Sequence, residues 1–219
     1  MTDIWRQQPH HRAILAVDTA DSTAMTNIVK GRVRHSMYEV FERALYAAGI
    51  ENVHHDPLID RGDGVLALIH PMVPKTLLLN TVVPELGKLL AQHDGLRLRA
   101  VVHAGEVHYD HRGCFGESLD LSFRLLDAPE LKLLLKAVLS PLAVVLSEDI
   151  YRAVARHGYD RIDADGFAPL VRVEIAGRTH RGWVRLPEIE PSPSCSAVPN
   201  ISISRTATSY LPSGLLEGR

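Results

Sequence analysis

The sequence predicts an α+β fold in which an antiparallel-rich sheet is flanked by helices, and three observations carry that expectation. Short apolar runs that stop at acidic or turn residues mark strands. Longer stretches with apolar residues three and four apart mark helices between them. Two pairs of strands are joined by tight turns, so the pattern is not a strict strand–helix–strand repetition.

Taken in chain order, Arg12-Ala-Ile-Leu-Ala-Val17 reads as a buried strand that ends at Asp18. Asp21, Ser22 and Thr23 have the short polar side chains that cap helix N-termini, and a helical pattern from Ile28 to Ala48 follows, with Gly49 as its stop. Asn52 to Ile69 fits strand, turn and strand, with Arg61-Gly62-Asp63-Gly64 as the turn. A helix is expected over Pro74 to His93, with Pro84 kinking or splitting it. Leu96 to His108 alternates as a strand does, and a loop with Gly113 and Gly116 leads into a helix over Ser118 to Leu126. Leu131 to Leu139 reads as a short helix, Leu142 to Leu146 as a strand, and Ser147 as the cap of a helix reaching His157. Val171 to Ile175 and Gly182 to Leu186 make a closing hairpin.

Domain boundaries follow from composition. Residues 1–11 are polar and read as a flexible N-terminus, and 12–186 as one folded domain. Residues 187–219 read as a disordered tail rich in proline and serine, because such a segment buries too little apolar surface to offset its chain entropy. With 24 basic against 26 acidic residues and a formal charge of −2, no basic excess points to nucleic acid or an anionic membrane. No apolar run reaches the roughly 18 residues of a membrane span, and Cys114 and Cys195 are too few for a disulfide framework. A cytoplasmic protein without membrane or nucleic-acid partner is the expectation.

Two carboxylates stand out by position. Asp18 ends a buried strand just before a helix start, and Asp63 sits at a hairpin tip, the two places where a fold holds a carboxylate over a sheet end. Hard cations such as Mg²⁺ take one or two carboxylates and complete their shell with substrate phosphates. Turn chemistry alone also accounts for Asp63, and an ordinary loop position for Asp18. His103, His108 and His111 lie close in sequence without the further ligand a zinc site needs, though His108 and His111 fit a loop near a phosphate site. Phosphate-binding P-loop, dinucleotide-binding and nucleophile-elbow motifs are absent.

The order and spacing of four blocks are more specific. Ala-Ile-Leu-Ala-Val-Asp18-Thr-Ala-Asp-Ser-Thr23, Asp60-Arg-Gly62-Asp63-Gly, Leu98-Arg-Ala-Val-Val-His103-Ala-Gly105-Glu-Val107 and Gly116-Glu-Ser-Leu-Asp-Leu-Ser-Phe-Arg124-Leu together resemble the class III nucleotidyl (adenylate/guanylate) cyclase homology domain, over residues 12–186. The resemblance implies a sheet with a ferredoxin-like core and a head-to-tail homodimer with its active sites at the subunit interface. It implies Asp18 and Asp63 as ligands of two Mg²⁺ or Mn²⁺ ions, with the carbonyl of Thr19 as a further ligand. It also implies a nucleoside triphosphate substrate, a cyclic nucleotide and pyrophosphate as products, Arg124 as the partner-supplied group at the transition state, and His103 as a structural residue.

Departures from the family pattern accompany these matches. Ile59 stands where purine cyclases carry a base-reading lysine, and Gly113 where a second base-reading residue is found. Asp120 replaces the ribose-orienting asparagine; it can accept a ribose hydrogen bond but brings a negative charge. The phosphate-binding lysine of the last hairpin falls on Glu174, with Arg172 or Arg178 as compensating cations. Asp18, Asp63 and Arg124 favour a phosphorus–oxygen lyase, whereas Ile59, Gly113 and Asp120 favour a catalytically silent nucleotide-binding or scaffold module. A third reading is a dimerisation module that uses the long helix over Thr26 to Ala48.

Overall fold

A computed structural model of the chain describes residues 8–185. The expectations for residues 1–7 and for the tail from 187 lie outside the described residues. Among the described residues, eight strands form one sheet: β1 (His10–Thr19), β2 (Ile59–Asp60), β3 (Gly64–Ile69), β4 (Leu98–Asp110), β5 (Gly113–Phe115), β6 (Leu142–Ser147), β7 (Ala168–Ile175) and β8 (Arg178–Arg185). The order is β2-β3-β1-β4-β6-β8-β7, with β5 paired to the end of β4. Every pairing is antiparallel except β4 with β6.

Period-two alternation sorts the strand residues onto two faces. Leu15, Val17, Val65, Ala67, Leu98, Ala100 and Val144 point toward Met37, Phe41 and Leu86. These belong to α1 (Asn27–Ala47) and to the helical segment 75–90. Ile14, Ala16, Leu66, Leu68, Val101 and Val145 point to the other side. There they pack on Leu119 and Leu125 of α4 (Glu117–Leu126) and on Leu131 and Leu135 of α5 (Pro129–Ala137). Both faces are therefore buried, and β3 and β6 are buried at every position, apolar apart from Ser147 at the end of β6.

Several elements differ from expectation for local reasons. Asp21 takes a left-handed backbone ahead of a short 3-10 turn (Ser22–Ala24), and α1 is capped instead by Thr26, whose hydroxyl accepts from the Val29 N–H at 3.4 Å. Ile28 and Val29 are exposed, so the apolar stripe of α1 starts a turn later than its sequence suggests. Over 75–90 the chain forms α2 (Lys75–Leu77), a π turn (Leu78–Val82) and α3 (Val83–Leu90). The π turn brings Pro84 into the first turn of α3, where a missing N–H is tolerated. Residues 52–58 make only one isolated bridge, His55 with Ile69, and the expected glycine loop contains β5, which folds back on β4. The helix after Ser147, α6 (Glu148–Ala153), is shorter than expected and gives way to 3-10 turns. None of the described helices is long and apolar enough to cross a membrane.

His103 is buried on the α4 side of β4, with Nδ1 2.7 Å from the Ser147 hydroxyl, which also caps α6 by accepting from the Ile150 N–H. Burial holds the imidazole near pKa 4, well below its ordinary 6.5. The unfolded chain therefore binds a proton here between about pH 6.5 and 4 that the folded chain does not. Stability from this group is complete above pH 6.5 and declines as the pH falls toward 4. Urea unfolding at several pH values should show that His103→Asn loses this acid-dependent component relative to the wild type.

Candidate active site

Strand register brings the site together. Asp18 continues the Ile14–Ala16 face of β1, and in the antiparallel ladder it lies opposite Gly64 on one side and Arg99 on the other. Gly64 is required there because a Cβ would fall 2.4 Å from the Val17 carbonyl oxygen. That close approach sets the Asp63 turn against the end of β1, and the Thr19 N–H closes it by donating to the Asp63 carbonyl at 2.9 Å.

The Asp18 carboxylate is unevenly satisfied. Its Oδ2 accepts from Arg99 Nη2 at 2.5 Å, whereas Oδ1 is buried and has no hydrogen-bond partner among the described residues. Burial pushes its pKa up to about 6, against the pull of Arg99, and neighbouring Asp63 adds to the rise. Asp63 Oδ2 accepts from the hydroxyl of buried Ser22. The Thr19 hydroxyl turns into the core toward Met37 Sδ at 3.6 Å, so only the Thr19 main chain is left for the site.

Asp60 of β2 and Arg34 of α1 hold the Asp63 turn from outside. Arg34 of α1 pairs with Asp60 at 2.5 Å and also donates to the Gly62 carbonyl. Asp60 in turn accepts the Gly62 N–H at 2.6 Å, and these contacts hold its carboxyl near pKa 2.

Asp18 and Asp63 open onto a cleft of about 640 Å³ that is also lined by Asp120, Phe123, Arg124 and Asp127 around α4, by Arg61, and by Glu174 of β7. Asp120 and Arg124 are exposed and one helical turn apart, so both present to this cleft from the same chain. Among the described residues Arg124 has no ion-pair partner, while the Arg61 guanidinium lies 3.5 Å over the Phe123 ring. The cleft carries five carboxylates against two guanidiniums.

The other sequence candidates lie elsewhere. Ile59 packs into the apolar cluster beneath α4, and Gly113 is at the tip of the β4–β5 hairpin; neither lines the cleft. Arg172 lies opposite Arg181 and Arg178 opposite Ile175 in the β7–β8 ladder, and neither lines the cleft. His108 stacks on Phe115 at 5.3 Å and His111 accompanies Arg112 on the hairpin, so the expected loop near phosphate does not form from them. Cys114 is half-buried against the α4 cluster, where burial raises its thiol pKa.

Among the described residues no group of three or more His, Cys, Asp or Glu side chains converges as a metal cage. Two carboxylates plus main chain nevertheless match the protein share of a Mg²⁺ or Mn²⁺ site that relies on substrate phosphates for the rest. The unpartnered, buried Asp18 Oδ1 is the specific feature that fits such a cation.

No protein-family model matches the sequence, and no curated protein matches it. Solved structures do match its fold. An adenylate/guanylate cyclase/hydrolase from Silicibacter pomeroyi superposes with a TM-score of 0.58 at 19% identity, covering 83% of this chain and 99% of that one. The catalytic core of a rhodopsin-guanylyl cyclase with converted specificity, in complex with ATPalphaS, gives 0.55 at 13% identity, over 85% and 100%. The guanylyl cyclase Cya2 gives 0.53 at 14% identity, over 84% and 96%. The chain has the adenylate/guanylate cyclase fold.

Replacing Arg99 by methionine should destabilise the protein by about 1–3 kcal/mol near neutral pH, because the part-buried Asp18 carboxyl loses its charge-assisted partner and takes up a proton. Asp18→Asn combined with Arg99→Met should recover most of that loss. Urea unfolding of both variants measures the coupling.

Proposed function

We propose that this chain binds a nucleoside triphosphate together with a divalent cation and cyclises it to a 3′,5′-cyclic nucleotide, as a head-to-tail homodimer. The observation that carries the reading is the Asp18 carboxylate: half-buried, raised in pKa, beside Asp63, and left with one buried oxygen unpartnered at the mouth of a large cleft. A carboxylate in that state is stabilised by a cation.

Asp18, Asp63 and the Thr19 main chain hold Mg²⁺ or Mn²⁺. When bound, the cation supplies charge neutralisation of the triphosphate and a lower pKa for the ribose 3′-hydroxyl. That hydroxyl loses its proton to solvent, its oxygen bonds to the α-phosphorus, and the bond from the α-phosphorus to the bridging oxygen breaks to release pyrophosphate. Arg124 offsets the charge that builds on the α-phosphoryl oxygens, a task suited to a permanently charged planar donor. Asp120 accepts a hydrogen bond from a ribose hydroxyl. Both are exposed on the face that carries the carboxylates, which is the arrangement a head-to-tail pair needs for each Arg124 to meet the partner's cleft.

A second reading, nucleotide binding without turnover, is favoured by Asp120, whose charge adds to an already acidic cleft, and by the absence of Ile59 and Gly113 from its lining. Incubation with Mn²⁺ or Mg²⁺ and each of the four ribonucleoside triphosphates, read by mass spectrometry, separates the two. Cyclic product that disappears in Asp18→Ala and Asp63→Ala supports the lyase. Metal-dependent nucleotide binding with no product supports the silent module, and loss of both sinks the proposal. Asp120→Asn should raise turnover severalfold by removing one charge from the cleft. Gly113→Asp should not help, because its backbone φ of +152° strains any side chain and it lies outside the cleft.

A further inference from the structure

A side pocket of about 250 Å³ runs from Asp18 and Asp63 toward α5, between the loop Asp21-Ser22-Thr23 and the side chains of Arg97, Arg99, Lys132 and Lys136. We infer that Lys132 and Lys136 receive the terminal phosphates of the triphosphate, in place of a lysine from the closing hairpin. The inference rests on the nucleotide-binding reading above and names the residues that hold the far end of the ligand.

The four cations of this pocket are not equivalent. Arg97 is committed, since its Nη2 donates to the carbonyls of Leu135, Val138 and Ser140 and closes the C-terminal end of α5. Arg99 is only 6% exposed, and its Nε and Nη1 have no hydrogen-bond partner among the described residues. Nη1 also lies 3.8 Å from Asp127 Oδ1, an ion pair too long for a hydrogen bond, so a buried guanidinium with these donors unmet is suited to an acceptor oxygen. Lys132 and Lys136 stand one helical turn apart at the rim, each held by an aspartate: Lys132 by Asp127, and Lys136 by Asp21 at 3.0 Å. Their side chains are 41% and 61% exposed, so these pairs are weak and exchangeable. A polyphosphate carries more charge than one carboxylate and competes for both ammonium groups.

The alternatives on the closing hairpin do not serve. Glu174 brings a negative charge to the main cleft, and neither Arg172 nor Arg178 lines either pocket. Lys30 and Arg34 of α1 also stand near Asp63, but on its far side, where Arg34 is committed to Asp60 and Gly62; the basic groups that share a pocket with both Asp18 and Asp63 are Arg61 and Arg124 in the main cleft and the four on the α5 side. A ligand whose α-phosphate sits at Asp18 and Asp63 has its tail toward the side pocket, which both carboxylates also line.

Inorganic tripolyphosphate with Mn²⁺ tests this without turnover, by calorimetry on the full chain. The wild type should bind it, and Lys132→Gln/Lys136→Gln should weaken that binding about tenfold or more. Mn²⁺ affinity and nucleoside monophosphate affinity should stay unchanged. Lys132→Arg/Lys136→Arg, which keeps both charges, should retain binding. Asp21→Asn, which frees Lys136, should tighten it severalfold, a gain that a merely structural ion pair does not give. Unaltered tripolyphosphate affinity in the double glutamine variant overturns the inference and leaves the nucleotide-binding reading standing. A wild type that binds neither Mn²⁺ nor any triphosphate overturns both.

Discussion

The part-buried ion pair between Asp18 and Arg99 is the constraint on which the site depends. It joins neighbouring strands at one point of their register and puts two opposite charges beside the apolar Ala16 and Val101. Such a pair is costly to desolvate, and breaking it is costlier still, so neither side chain can leave without the other. Yet the pair is incomplete. One carboxylate oxygen and two guanidinium nitrogens are left without hydrogen-bond partners on the described protein. A structural bridge is normally satisfied on both sides. A bridge with unmet donors on one partner and an unmet acceptor on the other is suited to a ligand that carries both a cation and phosphate oxygens.

Charge around this pair is divided in space. On the α4 side the cleft carries five carboxylates against two guanidiniums, whereas on the α5 side Arg97, Arg99, Lys132 and Lys136 balance Asp18, Asp21, Asp63 and Asp127. The near-neutral charge of the whole chain does not display this difference. Field lines in a cleft depend on local groups rather than on net charge, so a protein with a formal charge of −2 can still hold an anionic ligand.

Much of the fold was legible because its signals are local. Alternation marked β4, the apolar run marked β1, and glycine and aspartate marked the turn before β3. Asp18 and Asp63 were legible for the same reason: each ends an element whose pattern is plain. Arg99 was not, because its meaning comes from a partner 81 residues away and from register, which sequence does not display. Its signal was an arginine on the strand face otherwise occupied by Val101 and His103, both buried. Arg34 was missed likewise, because only the packing of α1 brings it over the turn at Asp60 and Gly62. The apolar Ile28 and Val29 misled in the opposite direction, since helical periodicity says which residues share a face but not whether that end of the helix is covered. The short β5 escaped because three residues are too few to show a period.

Asp120 shows why the altered positions cannot be read one at a time. As a single substitution, a carboxylate in place of an amide near a triphosphate is unfavourable by simple repulsion. In this cleft it joins Asp18, Asp63, Asp127 and Glu174, so the unliganded site already repels an anion that arrives without a cation. The extra charge then changes the order of events rather than the identity of the ligand. Cation binding is strengthened by each added carboxylate, and phosphate binding becomes conditional on it. On the proposed reading such a cleft favours a metal–polyphosphate complex over the free polyanion, and the part-buried Asp18–Arg99 pair is where the two halves of that complex would meet the protein.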